Sequence, residues 1–196
     1  MKLQVFHKQP KKLIFIIFIM GGQSMQEGNL DTTISCGQTT PLNDKWVLYA
    51  HLPHDTDWSL KSYKQISEIS SVEEIISLSE SIPDKMIVNC MLFLMRSHIN
   101  PQWEDQNNRL GGCFSYKVGN NEVSKIWRKL SYCLVGETLL KDNSDYSCIN
   151  GITISPKKNF CIIKIWLKDC SKQNPQIINY FSGFTNYGSL FKKHIN

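Results

Sequence analysis

The stretch CMLFLMRSHINPQWEDQNNRLGGCFSYKV, residues 90–118, reads as strand, loop and return strand. CMLFLMRS (90–97) is a continuous apolar run of strand length, and CFSYKV (113–118) is its return. Between them, HINPQWEDQNNRLGG (98–112) is a long loop rich in turn residues. On the N-terminal side, KWVLYAHL (45–52) has strand character, HDTDWS (54–59) is a polar loop, and KSYKQISEI (61–69) pairs back as a strand. SSVEEIISLSESIP (70–83) opens with an S-x-x-E capping pattern, which predicts a short helix carrying Val72, Ile75, Ile76 and Leu78 and ended by Pro83. On the C-terminal side, Val123, Ile126, Trp127, Leu130 and Leu134 recur at helical spacing within 120–137. CINGITIS (148–155) and NFCIIKIWL (159–167) flank a Lys-Lys turn and predict a hairpin. NPQIINYFSGF (174–184) reads as a third helix and GSLFKKHI (188–195) as a final strand. Strands outnumber helices and are joined mostly by hairpin-length links. The expectation is an α+β fold, an antiparallel sheet with helices on one face.

A chain of 196 residues, 41% hydrophobic and 20% charged, is long enough for one domain with a real core. No stretch reaches the roughly 18 apolar residues that span a bilayer, so no membrane partner is expected. Seven cysteines, an odd number with no C-x-x-C, sit largely in apolar segments. They read as buried thiols of a reducing compartment, the cytoplasm, and not as a disulfide framework or zinc site. Residues 1–24 carry four lysines and no acid, with eight apolar residues from Leu13 to Met20, in outline like a secretory signal. The short apolar run and the reduced-looking cysteines favour a dispensable, poorly ordered extension over 1–36, with the folded domain at 37–196; Met20 and Met25 also leave room for a later natural start. Residues 25–140 carry ten Lys/Arg against fourteen Asp/Glu, whereas 141–196 carry eight lysines against three aspartates. That basic C-terminal third suits a phosphate-bearing partner, or is a solvated lysine face.

Two tryptophans stand in polar loops, Trp58 between Asp57 and Ser59, and Trp103 between Gln102 and Glu104. Taken singly, each reads first as a ring tucked against the domain. Together with Glu104 they have a chemical reading. A carboxylate accepts two N–H bonds from the Watson–Crick edge of guanine, and indole faces stack on bases. Methylation at N7 makes guanine cationic, and a desolvated cation over an indole gains about 2 kcal/mol, roughly thirtyfold in affinity. The crowd His51, His54, Asp55 and Asp57 offers no tetrahedral metal template, and Glu73-Glu74 read as the acidic first turn of a helix. With no nucleophile motif and no glycine-rich phosphate loop, neither an enzyme nor a cofactor is expected.

PQWEDQNNRLGG (101–112) resembles the P-x-W-E-D-x-x-N-x-x-G-G signature of the translation initiation factor 4E family. P-L-x-x-x-W at Pro41 to Trp46, S-V-E-E at 71–74, the large aromatic Trp127, C-L-V-G-E at 133–137 and I-x-I-W at Ile163 to Trp166 follow in order, so the resemblance covers residues 40 to about 168. It implies a curved antiparallel sheet with three helices on its convex face. The 7-methylguanosine cap of messenger RNA would be held on the concave side between Trp58 and Trp103. Glu104 would read the base edge, and the Trp103 N–H would meet guanine O6. Trp46, Trp127 and Trp166 would be structural. Cys113 stands where the family has an Arg after its Gly-Gly pair, the family's phosphate-binding Arg and Lys are missing near Ser155 and at Ile162, and Lys157, Lys158 and Lys164 are the expected replacements. A lysine is a point charge without the bidentate fork of arginine, which implies weaker or differently placed phosphate contacts. The convex face would take a helical peptide from a scaffold initiation factor or repressor, at Val72, Ile76, Leu134 and Gly136. Ile76 and Lys129 replace a family Trp and Glu there. The alternative function is an interaction protein of the same fold that sequesters scaffold proteins without binding cap.

Overall fold

Side chains alternate along the first strand: Trp46, Leu48 and Ala50 join the main core, while Tyr49 packs with a second cluster on the other face. The computed structural model describes residues 39–181, 183–184 and 189–195. The expected extension over 1–36 lies outside them. In chain order the elements are β1 (Pro41–His51), β2 (Tyr63–Ser71), α1 (Val72–Ser81), α2 (Asp84–Asn89), β3 (Met91–Arg96), β4 (Gly112–Gly119), α3 (Val123–Val135), β5 (Ile149–Pro156), β6 (Phe160–Leu167) and β7 (Leu190–Lys193). All seven strands form one sheet in the order β2-β1-β3-β5-β6-β4-β7, and every neighbouring pair is antiparallel. Register shifts between Leu48 and Tyr49 in β1 and between Ile149 and Gly151 in β5 mark bulges, which bend the sheet.

The helices cover one face. Trp127, Leu130 and Leu134 of α3 and Ile75 of α1 share a core with Leu92, Leu94, Phe114, Ile152, Ile163 and Ile165 of the sheet. Ser71 caps α1 as the sequence predicts: its hydroxyl accepts from Glu74 N at 3.3 Å, and the Glu74 carboxylate accepts from Ser71 N at 3.1 Å. Arg128 of α3 ties the helices together, donating to the carbonyls of Ser79 and Ile82 and pairing with Asp84 at 2.6 Å. Among the described residues, no helix covers the opposite face, which holds a small cluster of Phe93, Met95, Ile99, Cys113 and Trp166, flanked by Tyr49, Tyr63 and Met91. Six cysteines among the described residues are free thiols.

One expectation about the fold needs correction. The described residues of 174–184 do not form a helix; among them Pro175–Ile177 make a single 3₁₀ turn. The chain there pairs instead with 138–141. Lys141 N donates to Ile177 O, Asn179 N to Leu139 O, and the Asn179 amide to the carbonyls of Thr138 and Leu140. These bonds satisfy both backbones while Ile178, Phe181 and Phe184 enter the core, so tertiary pairing overrides local propensity. The third helix is α2, six residues long, which is too short to display a period.

Candidate functional site

The helix-free face is overhung by two loops. The first runs from His51 to Tyr63. Asp55 accepts from Asp57 N at 2.9 Å, and Asp57 accepts from Ser59 N and Oγ, both at 2.8 Å. These successive side-chain turns raise Trp58 on a polar ridge, where it is 53% exposed. The two bonds from Ser59 hold the Asp57 carboxyl below the usual aspartate range. Asp55 and Asp57 therefore build the loop. His51 is buried and lies flat against the Trp58 indole, with ring centroids 4.1 Å apart and planes 5° from parallel.

The second loop, 97–111, carries Trp103, which is 54% exposed, and the exposed Glu104. Asp105 accepts from Asn100 N and Nδ2 at one oxygen and from Asn107 N and Nδ2 at the other, closing the tip. Asn108 is fully buried and clamps the base: its Nδ2 donates to the carbonyls of Asn100 at 3.0 Å and Gln102 at 2.7 Å, and its Oδ1 accepts from Asn150 of β5 at 2.9 Å. The loop then enters the sheet through two glycines. A Cβ on Gly111 would stand 1.8 Å from Leu167 O, and one on Gly112 2.6 Å from Lys192 O, so neither position admits a side chain. Gln102 joins the loops by donating to Trp58 O at 2.9 Å. Glu104 is near enough to Tyr63, on the first loop, to help burial push the Tyr63 hydroxyl pKa up to about 12. Trp58, Trp103 and Glu104 thus belong to one pair of tied loops over one face.

The floor beside them is basic and polar. Lys164 on β6 stands in register with Thr153 and Ser115, and Lys192 on β7 with Cys113, which itself pairs with Trp166. Both ammonium groups lower the pKa of the Cys113 thiol, although burial outweighs them and leaves it raised. Lys157 and Lys158 are exposed in the β5–β6 turn, where Lys157 N donates to Phe160 O at 2.8 Å. Thr153 Oγ1, Trp166 Nε1 and His194 Nε2 are buried without a hydrogen-bond partner among the described residues. His194 Nδ1 lies 2.7 Å from Asn108 O; a carbonyl only accepts, so Nδ1 carries the proton and neutral Nε2 is a bare acceptor. Burial lowers the His194 pKa and so favours that neutral form. The sequence does not single out Lys192, Thr153 or His194, and Trp166, expected to be structural, lies in the small buried cluster. The available signal was parity: Ile163 and Ile165 face the main core, so Trp166 and Lys164 face the other way.

On the helical face, Val72 and Ile76 of α1 are half-buried and Gly136, just past α3, is exposed. Leu134 is a correction. It is 0% exposed within the main core, so it supports this surface from beneath, and the half-buried Tyr132 stands at the surface beside it.

The family profile described as Eukaryotic initiation factor 4E matches residues 41–188. The chain belongs to the eukaryotic initiation factor 4E family. It is 28% identical over 160 residues to the eukaryotic translation initiation factor 4E of Candida glabrata, covering 78% of this chain and 70% of that protein. The Eremothecium gossypii factor is 30% identical over 135 residues, covering 65% of this chain and 62% of that protein. The chain therefore spans about two thirds of the length of these initiation factor 4E relatives. The crystal structure of Ascaris suum eIF4E-3 with m7G cap is similar with a TM-score of 0.62 at 24% identity, covering 71% of this chain and 78% of that one. Schistosome eIF4E complexed with m7GpppG and 4E-BP gives 0.61 at 23%, covering 68% and 75%. At such identities the structural likeness establishes the initiation factor 4E fold.

Proposed function

We propose that this chain binds the 7-methylguanosine cap of messenger RNA in translation initiation, in the cytoplasm, and is not an enzyme. The methylated base stacks between Trp58 and Trp103, and Glu104 accepts from its N1 and N2 donors. The observation that carries this reading is the bond from Gln102 to the Trp58 carbonyl, which ties two half-exposed indoles from separate loops over one face. An exposed indole costs a folded chain solubility and ordering entropy, and a pair of them beside a carboxylate has a use in stacking a cationic purine. The phosphate chain runs over the floor toward Lys164 and Lys192, with Lys157 and Lys158 of the β5–β6 turn as outer contacts. No ion pair engages Lys164 or Lys192 among the described residues, so their charge is free to meet phosphate. The helical face, with Val72, Ile76, Tyr132 and Gly136, takes a helical peptide of a scaffold initiation factor or repressor.

Titration of tryptophan fluorescence with 7-methyl-GTP and with GTP tests the cap site. Quenching by 7-methyl-GTP at concentrations where GTP has no effect is expected. Equal response to both nucleotides, or to neither, sinks the reading. A scaffold peptide that is retained with no cap binding would replace it with the sequestering alternative.

A further inference from the structure

One face of the Trp58 indole is already occupied. His51, the last residue of β1, is 2% exposed and stacks on it at 4.1 Å with an interplanar angle of 5°. The imidazole is itself fixed on two sides. His51 Nε2 lies 2.8 Å from Asp57 O, which only accepts, so Nε2 bears the proton and donates. The Tyr63 ring meets His51 edge-on at 5.3 Å, and Tyr63 in turn meets Phe93 edge-on at 5.2 Å. Phe93 is buried in the small cluster of the helix-free face. A continuous run of rings therefore rises from the buried floor through Phe93, Tyr63 and His51 to an indole that is 53% exposed. A loop indole without such backing would sample several rotamers and have to be ordered by its ligand.

We propose that His51 is a positioning residue for the base: it holds the Trp58 indole as a one-sided plate, so that the purine has a single face to stack on and Trp103 closes from the other side. This rests on Trp58 being a stacking plate. The order of layers is His51, Trp58, base, Trp103. His51 does not touch the ligand, and its effect passes entirely through Trp58. Ordering one such side chain in advance contributes about 0.5–1.5 kcal/mol, which is roughly a 2- to 12-fold gain in affinity.

The test is a double-mutant cycle by isothermal titration calorimetry with 7-methyl-GTP, each variant held below its own melting transition. His51→Ala should weaken binding roughly 2- to 12-fold. His51→Phe, which restores a flat ring, should recover most of the loss. His51→Gln, which keeps a donor for Asp57 O but offers no ring, should not, and it stands in for the alanine variant should that fail to fold. In a Trp58→Ala background, His51→Ala should have no further effect. Wild-type affinity in both His51→Ala and His51→Gln overturns the inference. So does a loss that persists undiminished without Trp58, because His51 would then act by another route. If Trp58→Ala alone binds as well as wild type, the stacking reading falls instead, which separates the two failures.

Discussion

Replacing Asn108 by aspartate changes one buried atom, an NH₂ to an oxygen, at the base of the Trp103 loop. The native Nδ2 donates to Asn100 O at 3.0 Å and Gln102 O at 2.7 Å. The variant loses both donors and turns an oxygen toward two carbonyls. Its other oxygen still accepts from Asn150, and its own backbone carbonyl still accepts from His194. A buried acceptor left unpaired costs about 1–3 kcal/mol, so two give about 3 kcal/mol once partial relaxation is allowed. For a domain of this size, that lowers the melting temperature by roughly 6–12 °C. Gln102 directly precedes Trp103 and holds the Trp58 carbonyl, so cap affinity should fall together with stability. The introduced carboxyl, buried against carbonyls, would have a raised pKa, and once protonated it regains one donor. The deficit should therefore shrink as pH falls through that raised value. Calorimetric melting of the ligand-free protein against pH, with 7-methyl-GTP titration alongside, measures both effects. A melting temperature within about 2 °C of wild type, with unchanged affinity, would show that the two donors do not hold the loop.

Trp58→Ala, Trp103→Ala and Glu104→Ala should each weaken 7-methyl-GTP binding by about 1–3 kcal/mol in calorimetry. Removing Glu104 should also bring the Tyr63 hydroxyl down from about 12, which ultraviolet titration of the phenol reads. Lys164→Gln and Lys192→Gln should weaken binding of 7-methyl-GTP and flatten its salt dependence while leaving 7-methylguanosine, which has no phosphate, little changed. Equal losses for the nucleotide and the nucleoside would count against a phosphate role. His194 has its pKa lowered by burial, so the unfolded chain binds its proton more readily and stability is lost as pH falls through the ordinary histidine range. Melting temperature should drop from about pH 7 to about pH 5.5, and less steeply in His194→Gln; parallel slopes would remove His194 from that account.

How much was legible in the sequence depended on whether a residue's reason was local. The α1 cap was readable because Ser71 and Glu74 satisfy each other within one turn. The α3 period was readable because its stripe repeats through thirteen residues. Trp58 and Trp103 could be singled out because indoles are rare in polar loops. Their tie through Gln102 could not, since it joins positions far apart in the chain. Segment 174–184 failed for the same reason: its partner lies at 138–141, and no local signal announces that pairing. His51 stood in a polar stretch with no assigned role and lies as a ring under Trp58, a relation set by how the loop folds back over β1. Lys192 escaped notice because its neighbour Cys113 lies far upstream and is joined to it only by the register of β4 and β7.

Burial divides the signature at 101–112 into two kinds of residue. Asp105, Asn108, Gly111 and Gly112 turn inward and shape the loop, while Trp103 and Glu104 turn outward to solvent. The two glycines are held by close backbone approach, and Asp105 and Asn108 by the hydrogen bonds that close the loop. The departure at Cys113 lies just beyond them, where a side chain points onto the helix-free floor and leaves the loop untouched. Family resemblance leads one to expect an arginine there. Lys164 and Lys192, on the strands to either side, bring their charges to the Cys113 thiol. Charge is thereby retained, but the planar fork of an arginine is lost. Two flexible ammonium groups fix the direction of a phosphate chain less tightly. Under the proposed cap-binding reading, discrimination for the methylated nucleotide would then rest more heavily on the indole pair and on whatever holds those indoles in place.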